Sequence, residues 1–153
     1  MMKALIIEDE RPIADTLKVL LVSLRPGIEI VGVTTNIRDS IKAISSNPDI
    51  DIIFSDIKID DGLSFSVFDR VETRAMVVFT TAYDEYALKA FDYNCVDYLL
   101  KPVSFDALQR ALTKCETFQP RATKVLSKRP PRLSSIITLN TGAGSSWKWA
   151  ARQ

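Results

Sequence analysis

The most restrictive feature of this 153-residue sequence is a fivefold alternation between short β-type runs and segments of helical period. The β-type runs cover residues 4–7, 28–33, 52–55, 76–80 and 96–100, and the helical segments that follow them cover residues 13–24, 37–44, 63–71, 85–93 and 105–112. Strands this apolar indicate a parallel sheet that is buried on both faces by helices. The pattern predicts an α/β fold, a flavodoxin-like doubly wound sheet of five parallel strands in the order 2-1-3-4-5.

Composition narrows the possible functions. The chain is 46% hydrophobic and 25% charged, which is typical of a globular protein and not of a disordered or fibrous one. It contains no histidine, and Cys95 and Cys115 lack the spacing of a metal motif, which excludes the usual zinc sites and catalysis by imidazole. Its apolar runs are far shorter than a membrane span requires. We expect a cytoplasmic protein with two free thiols and no membrane partner.

The charges divide the sequence into two parts. Residues 1–118 carry thirteen Lys/Arg and nineteen Asp/Glu, whereas residues 119–153 carry seven Lys/Arg and no acid. We expect residues 1–118 to form the folded domain and residues 119–153 to be a basic tail, rich in proline, serine and glycine and mostly disordered. The tail is interpreted as a linker toward a further domain, as a truncated or altered end, or as a basic arm that contacts nucleic acid or the acidic domain.

Charged and hydroxyl side chains follow four of the five predicted strands. In chain order these residues are Glu8, Asp9, Asp56, Thr80, Thr81 and Lys101. Ligands of doubly wound sheets bind beyond the carboxyl ends of the strands, where the strand order reverses. The sequence therefore predicts that three carboxylates, a threonine hydroxyl and an ammonium group meet at one edge of the sheet.

This set of side chains favours phosphoryl chemistry. Glu8, Asp9 and Asp56 are hard oxygen ligands, which suit Mg²⁺ better than zinc or copper. The ammonium of Lys101 and a threonine hydroxyl can each hold another oxygen of a phosphoryl group. Asp56 is then the candidate nucleophile, which would form an acyl phosphate. The residues alone leave open whether Thr80 or Thr81 supplies the hydroxyl.

The same residues resemble the receiver domain of two-component response regulators. The resemblance covers about residues 2–118 and depends on the acidic pair Glu8-Asp9, on Asp56 after the run IIFS, on Thr81-Ala82 and on Lys101-Pro102. The segment FTTAYDEYALKAFDYNCVDYLLKP is most similar to receivers of LytTR-type transcriptional regulators.

The resemblance assigns a role to each residue of the site. It implies that Asp56 is the phosphoacceptor and that Glu8, Asp9, Asp56 and the backbone carbonyl of Lys58 hold Mg²⁺. Thr81 would be the hydroxyl that follows the phosphoryl group, Lys101 would contact that group and precede a cis bond to Pro102, and Tyr98 would be the aromatic switch residue.

The resemblance also implies partners. A sensor histidine kinase would donate the phosphoryl group, and the response would be a conformational or dimerisation change at the fourth helix, the fifth strand and the fifth helix, with residues 84–91 and 105–112 forming the surface. DNA would be bound only through an output domain absent from this chain. On this reading the chain is not an enzyme beyond its own phosphotransfer and dephosphorylation, and we expect the bulk of Tyr83 to slow that dephosphorylation.

One alternative remains, an aspartate-nucleophile phosphatase-like enzyme of flavodoxin-like fold. Such phosphatases favour a second aspartate two residues after the nucleophile, where this sequence has Lys58. Asp60 and Asp61 are interpreted as turn residues before Gly62 and not as metal ligands.

Overall fold

The computed structural model describes residues 2–93 and 95–117. Its strands are β1 (Lys3–Ile7), β2 (Glu29–Thr34), β3 (Ile52–Ser55), β4 (Lys58–Ile59), β5 (Gly62–Leu63), β6 (Met76–Thr81) and β7 (Cys95–Leu100). Its helices are α1 (Arg11–Leu24), α2 (Ile37–Ser46), α3 (Phe65–Arg70), α4 (Ala87–Ala90), which continues into a 3₁₀ turn (Phe91–Tyr93), and α5 (Phe105–Thr117). The tail predicted for residues 119–153 lies outside the described residues.

Five of these strands form one parallel sheet in the order β2-β1-β3-β6-β7. The short strands β4 and β5 pair only with each other in a separate antiparallel hairpin. When the strands of the main sheet are counted without them, the order is 2-1-3-4-5, as predicted. The flavodoxin-like doubly wound architecture is thus confirmed.

Alternating side chains of the strands pack into two cores, one on each face of the sheet. In β6, Val77 and Phe79 contact the core that is completed by α2, α3 and the residues around α4, while Met76 and Val78 contact the core completed by α1 and α5. Successive side chains of a strand point to opposite faces, and the all-apolar strands supply both cores at once. None of the helices within the described residues is both long and apolar enough to cross a membrane.

The helix starts follow from local sequence. Pro12 occupies the first turn of α1, where its missing N–H costs no hydrogen bond. The side chain of Asn36 accepts a hydrogen bond from the Asp39 N–H at 2.8 Å at the start of α2. Ser104 accepts one from the Ala107 N–H at 3.0 Å, just before α5 begins.

The structure differs from the prediction in two connections. The helix expected at residues 63–71 is shorter, because Gly62 has a φ of 147° and the chain turns there into β5 before α3 starts at Phe65. The helix expected at residues 85–93 is reduced to one α-helical turn and a 3₁₀ turn. The ring of Tyr93, in that turn, stacks on Phe65 with centroids 4.8 Å apart.

Candidate functional site

The site lies at the carboxyl edge of the sheet, where hydrogen bonds between neighbouring strands continue one residue past each strand end. The Asp56 N–H donates to the Ile7 carbonyl, and the Lys101 N–H donates to the Thr81 carbonyl, both at 2.8 Å. The backbone of the sheet therefore holds Asp56 and Lys101 in place independently of their side-chain contacts. Glu8 is fixed in the same way from the other side, because its N–H donates to the Thr34 carbonyl at 2.8 Å.

The ammonium of Lys101 joins two carboxylates that come from different strands. Its Nζ donates to Glu8 Oε1 at 2.7 Å and to Asp56 Oδ2 at 2.9 Å. All three side chains are largely buried, with exposed fractions of 13% for Lys101, 1% for Glu8 and 10% for Asp56. Charge-assisted hydrogen bonds of this kind are needed to offset the cost of burying the charges.

One ammonium does not neutralise the acidic cluster. Oxygens of Glu8, Asp9 and Asp56 all lie within 4.8 Å of one another. Burial raises the pKa of Glu8 to about 7, and the charge of Asp56 adds to the rise, although the hydrogen bond from Lys101 lowers it in part. Burial and then the charges of Asp56 and Asp60 also raise the pKa of Asp9. The cluster thus favours a further cation or a proton.

Lys101 itself remains charged. Burial alone would lower its pKa, but the hydrogen bonds to Glu8 and Asp56 outweigh that effect, and the pKa lies above its usual value. The peptide bond between Lys101 and Pro102 is cis, as expected.

The two threonines at the end of β6 face opposite sides of the sheet. Thr80 lines the same cavity as Asp56, on the side of α1. Thr81 is completely buried, and its Oγ1 accepts a hydrogen bond from the Tyr83 N–H at 3.3 Å. By alternation along β6, Thr81 is on the same face as Phe79, the face on which Tyr98 also packs.

Tyr98 lies beside the site and is linked to it through the loop after β6. It pairs with Phe79 across β6 and β7, and its hydroxyl donates a hydrogen bond to the backbone carbonyl of Tyr83. Burial raises the pKa of the Tyr98 hydroxyl, so the group stays protonated at neutral pH and can donate this hydrogen bond.

Two contacts of the loop after β3 were missed by sequence reasoning. The Nζ of Lys58 lies over the ring of Tyr83, 4.3 Å from its centroid. Asp61 Oδ1 accepts a hydrogen bond from the Ile37 N–H at 2.9 Å, so a residue interpreted as a turn former also caps α2 from a distant part of the chain. Neither contact has a sequence signal, because each joins loops far apart in the chain.

An open cavity of about 680 Å³ begins at the acidic cluster and runs along α1. Its acidic and basic end includes Asp9, Asp56, Lys58 and Lys101, and Tyr83 also lines it. The wall beyond is mainly apolar and is formed by Pro12, Ile13, Leu17, Leu20, Pro102 and Val103. A partner could therefore reach Asp56 while it buries apolar surface against α1.

Residues 4–113 match the family model described as the response regulator receiver domain. The chain belongs to this family. It is a response regulator receiver domain of two-component systems, and the predicted family resemblance is confirmed.

Relatives and a solved structure agree with this assignment. The chain is 34% identical over 117 residues to the sensory transduction protein LytT of Bacillus anthracis, an alignment that covers 74% of this chain and 47% of LytT. It is 37% identical over 139 residues to the transcriptional regulatory protein BtsR of Escherichia coli, which covers 89% of this chain and 56% of BtsR. The response regulatory domain of mrkE from Klebsiella pneumoniae superposes with a TM-score of 0.69 at 31% identity, covering 76% of this chain and 97% of that domain. The chain thus spans about half the length of the curated relatives it matches.

Proposed function

We propose that this receiver domain accepts a phosphoryl group on Asp56 from a sensor histidine kinase and signals through a change in the surface around α4, β7 and α5. Response regulator receivers are phosphorylated by histidine kinases, and the chain belongs to that family. The observation that supports the assignment to Asp56 is the bridge from Lys101 to both Glu8 and Asp56, with Asp9 beside them. A cation-binding carboxylate cluster with one resident ammonium is suited to a transferring phosphoryl group.

The acidic cluster fits Mg²⁺. Its donors are three carboxylates without sulfur or imidazole, gathered around the single ammonium of Lys101. Burial, and after it the charge of Asp56, raises the pKa of Glu8, so a further cation at the cluster would favour its ionised form. Glu8, Asp9 and Asp56, with the backbone carbonyl of Lys58, would hold the ion. When bound, Mg²⁺ supplies positive charge to the oxygens of the transferring phosphoryl group.

The residues of the chain would position the reaction. Asp56 Oδ1 accepts a hydrogen bond from the Ile57 N–H at 2.7 Å, while Oδ2 is held by Lys101. One carboxylate oxygen would form a bond to phosphorus as the P–N bond of the kinase phosphohistidine breaks, and the bonding electron pair would stay on the imidazole nitrogen. Lys101 would move from the carboxylate to a phosphoryl oxygen, and Thr81 would donate its hydroxyl to another.

The response would appear at the surface that contains Tyr98. Four apolar side chains there are exposed, Leu88 by 85%, Phe91 by 65%, and Leu100 and Phe105 by 51% each. Burial of these side chains between two receivers would stabilise a homodimer. We expect Mg²⁺ with beryllofluoride, a mimic of the phosphoryl group, to increase the sedimentation coefficient, and Leu88→Asp to prevent the increase. An unchanged sedimentation profile of the loaded wild type would count against this surface.

The output would be provided by a LytTR-type DNA-binding domain. The names of LytT and BtsR describe a sensory transduction protein and a transcriptional regulator, and both are about twice as long as the matched region. A cytoplasmic location agrees with the two cysteines, which are free and belong to cores on opposite faces of the sheet.

The decisive experiment separates a phosphoacceptor from an enzyme. The full chain is incubated with acetyl phosphate and Mg²⁺, and the adduct is located by mass spectrometry after acid quenching. We expect about one acid-stable, base-labile phosphoryl group per chain on Asp56, and none in Asp56→Asn. Continuous hydrolysis without an adduct would favour the phosphatase-like alternative.

A further inference from the structure

Tyr83 makes three contacts that connect the acidic cluster with Tyr98. Its ring lies under the Lys58 ammonium, 4.3 Å from the centroid. Its N–H donates to Thr81 Oγ1 at 3.3 Å, and its carbonyl accepts the hydrogen bond of the Tyr98 hydroxyl. A displacement of this one residue therefore changes the hydrogen bonding of both Thr81 and Tyr98.

We propose that Lys58 is a positioning residue that transmits the phosphoryl charge at Asp56 to Tyr98 by leaving the ring of Tyr83. The inference rests on the phosphoacceptor role proposed for Asp56 and adds a second route to the one through Thr81. Both routes meet at Tyr83.

The position of Lys58 explains why its ammonium would move. Lys101 already pairs with Glu8 and Asp56, while the exposed side chain of Lys58 lies over an aromatic ring at the same cavity. A cation–π contact at an exposed site is weak. A phosphoryl group on Asp56 brings a dianion into that cavity, and an ammonium–phosphoryl hydrogen bond is the stronger attraction. Lys58 is two residues from Asp56 in sequence, so it can exchange one partner for the other.

Loss of the ammonium would free the Tyr83 ring. The ring also packs edge-on against Tyr86, with centroids 6.4 Å apart, so it has a second aromatic neighbour in the direction of α4. Movement of Tyr83 toward that neighbour carries its backbone carbonyl with it, and the Tyr98 hydroxyl must follow or break its hydrogen bond. The charge at Asp56 thereby changes the position of Tyr98 and the surface formed by β7 and α4.

The chain offers a matched control. Lys42 is an exposed lysine of α2, outside both the cavity and the surface around α4, β7 and α5. Lys42→Met removes one ammonium from the domain, as Lys58→Met does at the cavity. Lys58→Arg keeps the positive charge.

The four tyrosines of the sequence allow a direct measurement. The full chain is labelled with 3-fluorotyrosine, and the ¹⁹F spectrum is recorded before and after addition of Mg²⁺ and beryllofluoride. Tyr98→Phe and Tyr83→Leu identify the two resonances by their disappearance. The signal of bound beryllofluoride in the same spectrum reports whether the site is loaded.

We expect loading to shift both the Tyr83 and the Tyr98 resonances in the wild type and in Lys42→Met. In Lys58→Met the Tyr98 shift should fall below about half of the wild-type value, and Lys58→Arg should restore it. Tyr83→Leu removes the ring but keeps Lys58, and it should reduce the Tyr98 shift in the same way. If Lys58→Met does not bind beryllofluoride, the Tyr98 shift in Tyr83→Leu tests the route through Tyr83 instead.

Two results would overturn the proposal while leaving the phosphoacceptor role intact. One is a full Tyr98 shift in loaded Lys58→Met or loaded Tyr83→Leu, which would leave Thr81 as the sole route. The other is an Arg variant as impaired as the Met variant, which would show that charge is not what matters. Absence of bound beryllofluoride in the wild type would instead contradict the proposed function itself, and this inference with it.

Discussion

The affinity of the metal-free domain for Mg²⁺ should increase by about tenfold between pH 6 and pH 8, because the ion competes with a proton on Glu8. The side chain of Glu8 is 1% exposed, and its pKa is raised to about 7 by burial and by the charge of Asp56. At pH 6 roughly one molecule in ten has Glu8 ionised, and at pH 8 roughly nine in ten do. Since only the carboxylate binds the cation, the fraction ionised sets the apparent affinity.

The assay is isothermal titration calorimetry of the full chain at constant ionic strength. Titrations at pH 6, 7 and 8 give the affinity, and repetition in buffers with different ionisation enthalpies gives the number of protons released. Release should fall from nearly one proton per Mg²⁺ at pH 6 to nearly none at pH 8. The pH dependence measured in this way is independent of any phosphodonor.

Two variants test the origin of the effect. Glu8→Gln should bind Mg²⁺ more weakly and with a flattened pH dependence, because the titrating carboxyl is gone. Glu72→Gln removes an exposed carboxylate from the loop between α3 and β6, at the opposite edge of the sheet, and should behave as the wild type. An affinity that is constant within about twofold from pH 6 to pH 8, without proton release, would refute the reasoning about Glu8.

Three further substitutions probe the same site. Asp56→Asn removes one charge from the crowded carboxylates and should raise the free energy of unfolding of the metal-free protein by about 1 kcal/mol. A lower free energy of unfolding, measured by urea denaturation, would contradict repulsion among these carboxylates. Lys101→Met leaves Glu8 and Asp56 without their ammonium and should lower the free energy of unfolding by about 3 kcal/mol at pH 8. The decrease should be smaller at pH 6, because Glu8 takes up a proton there. An equal decrease at both pH values would argue against the pairing of Lys101 with Glu8. Tyr83→Ala should open the cavity to water and speed loss of the phosphoryl group from Asp56 severalfold. An unchanged rate of ³²P release would show that Tyr83 does not protect the phosphoryl group from water.

The strand-end residues show how much of the site could be predicted from sequence. Once five apolar strands are placed in parallel order, the residues that follow them must share one edge of the sheet, because every parallel strand ends on the same side. The structure accordingly places oxygens of Glu8, Asp9 and Asp56 within 4.8 Å of one another, and Lys101 donates hydrogen bonds to Glu8 and Asp56. Chain order and apolar periodicity were sufficient for this.

The threonines mark the limit of that reasoning. Alternation along a strand predicts that Thr80 and Thr81 face opposite sides of the sheet, but it does not predict which of them faces the side with the cavity. The structure shows Thr80 in the cavity and Thr81 on the face of Phe79 and Tyr98. Thr81 remains the proposed hydroxyl because the family resemblance rests on the Thr81-Ala82 pair, and its side chain would have to turn toward Asp56 to reach a phosphoryl group there.

The sequence by itself determined the strands, the two cores and the residues at the strand ends, because these depend on local periodicity. The strand order followed from the doubly wound arrangement that alternating strands and helices favour. The tertiary structure alone decided the contact of Lys58 with Tyr83, the capping of α2 by Asp61 and the single turn of α4. Each of these depends on how one loop packs against another that is distant in the chain. Such packing is set by the shapes of the assembled surfaces, and no repeating pattern within a loop encodes it.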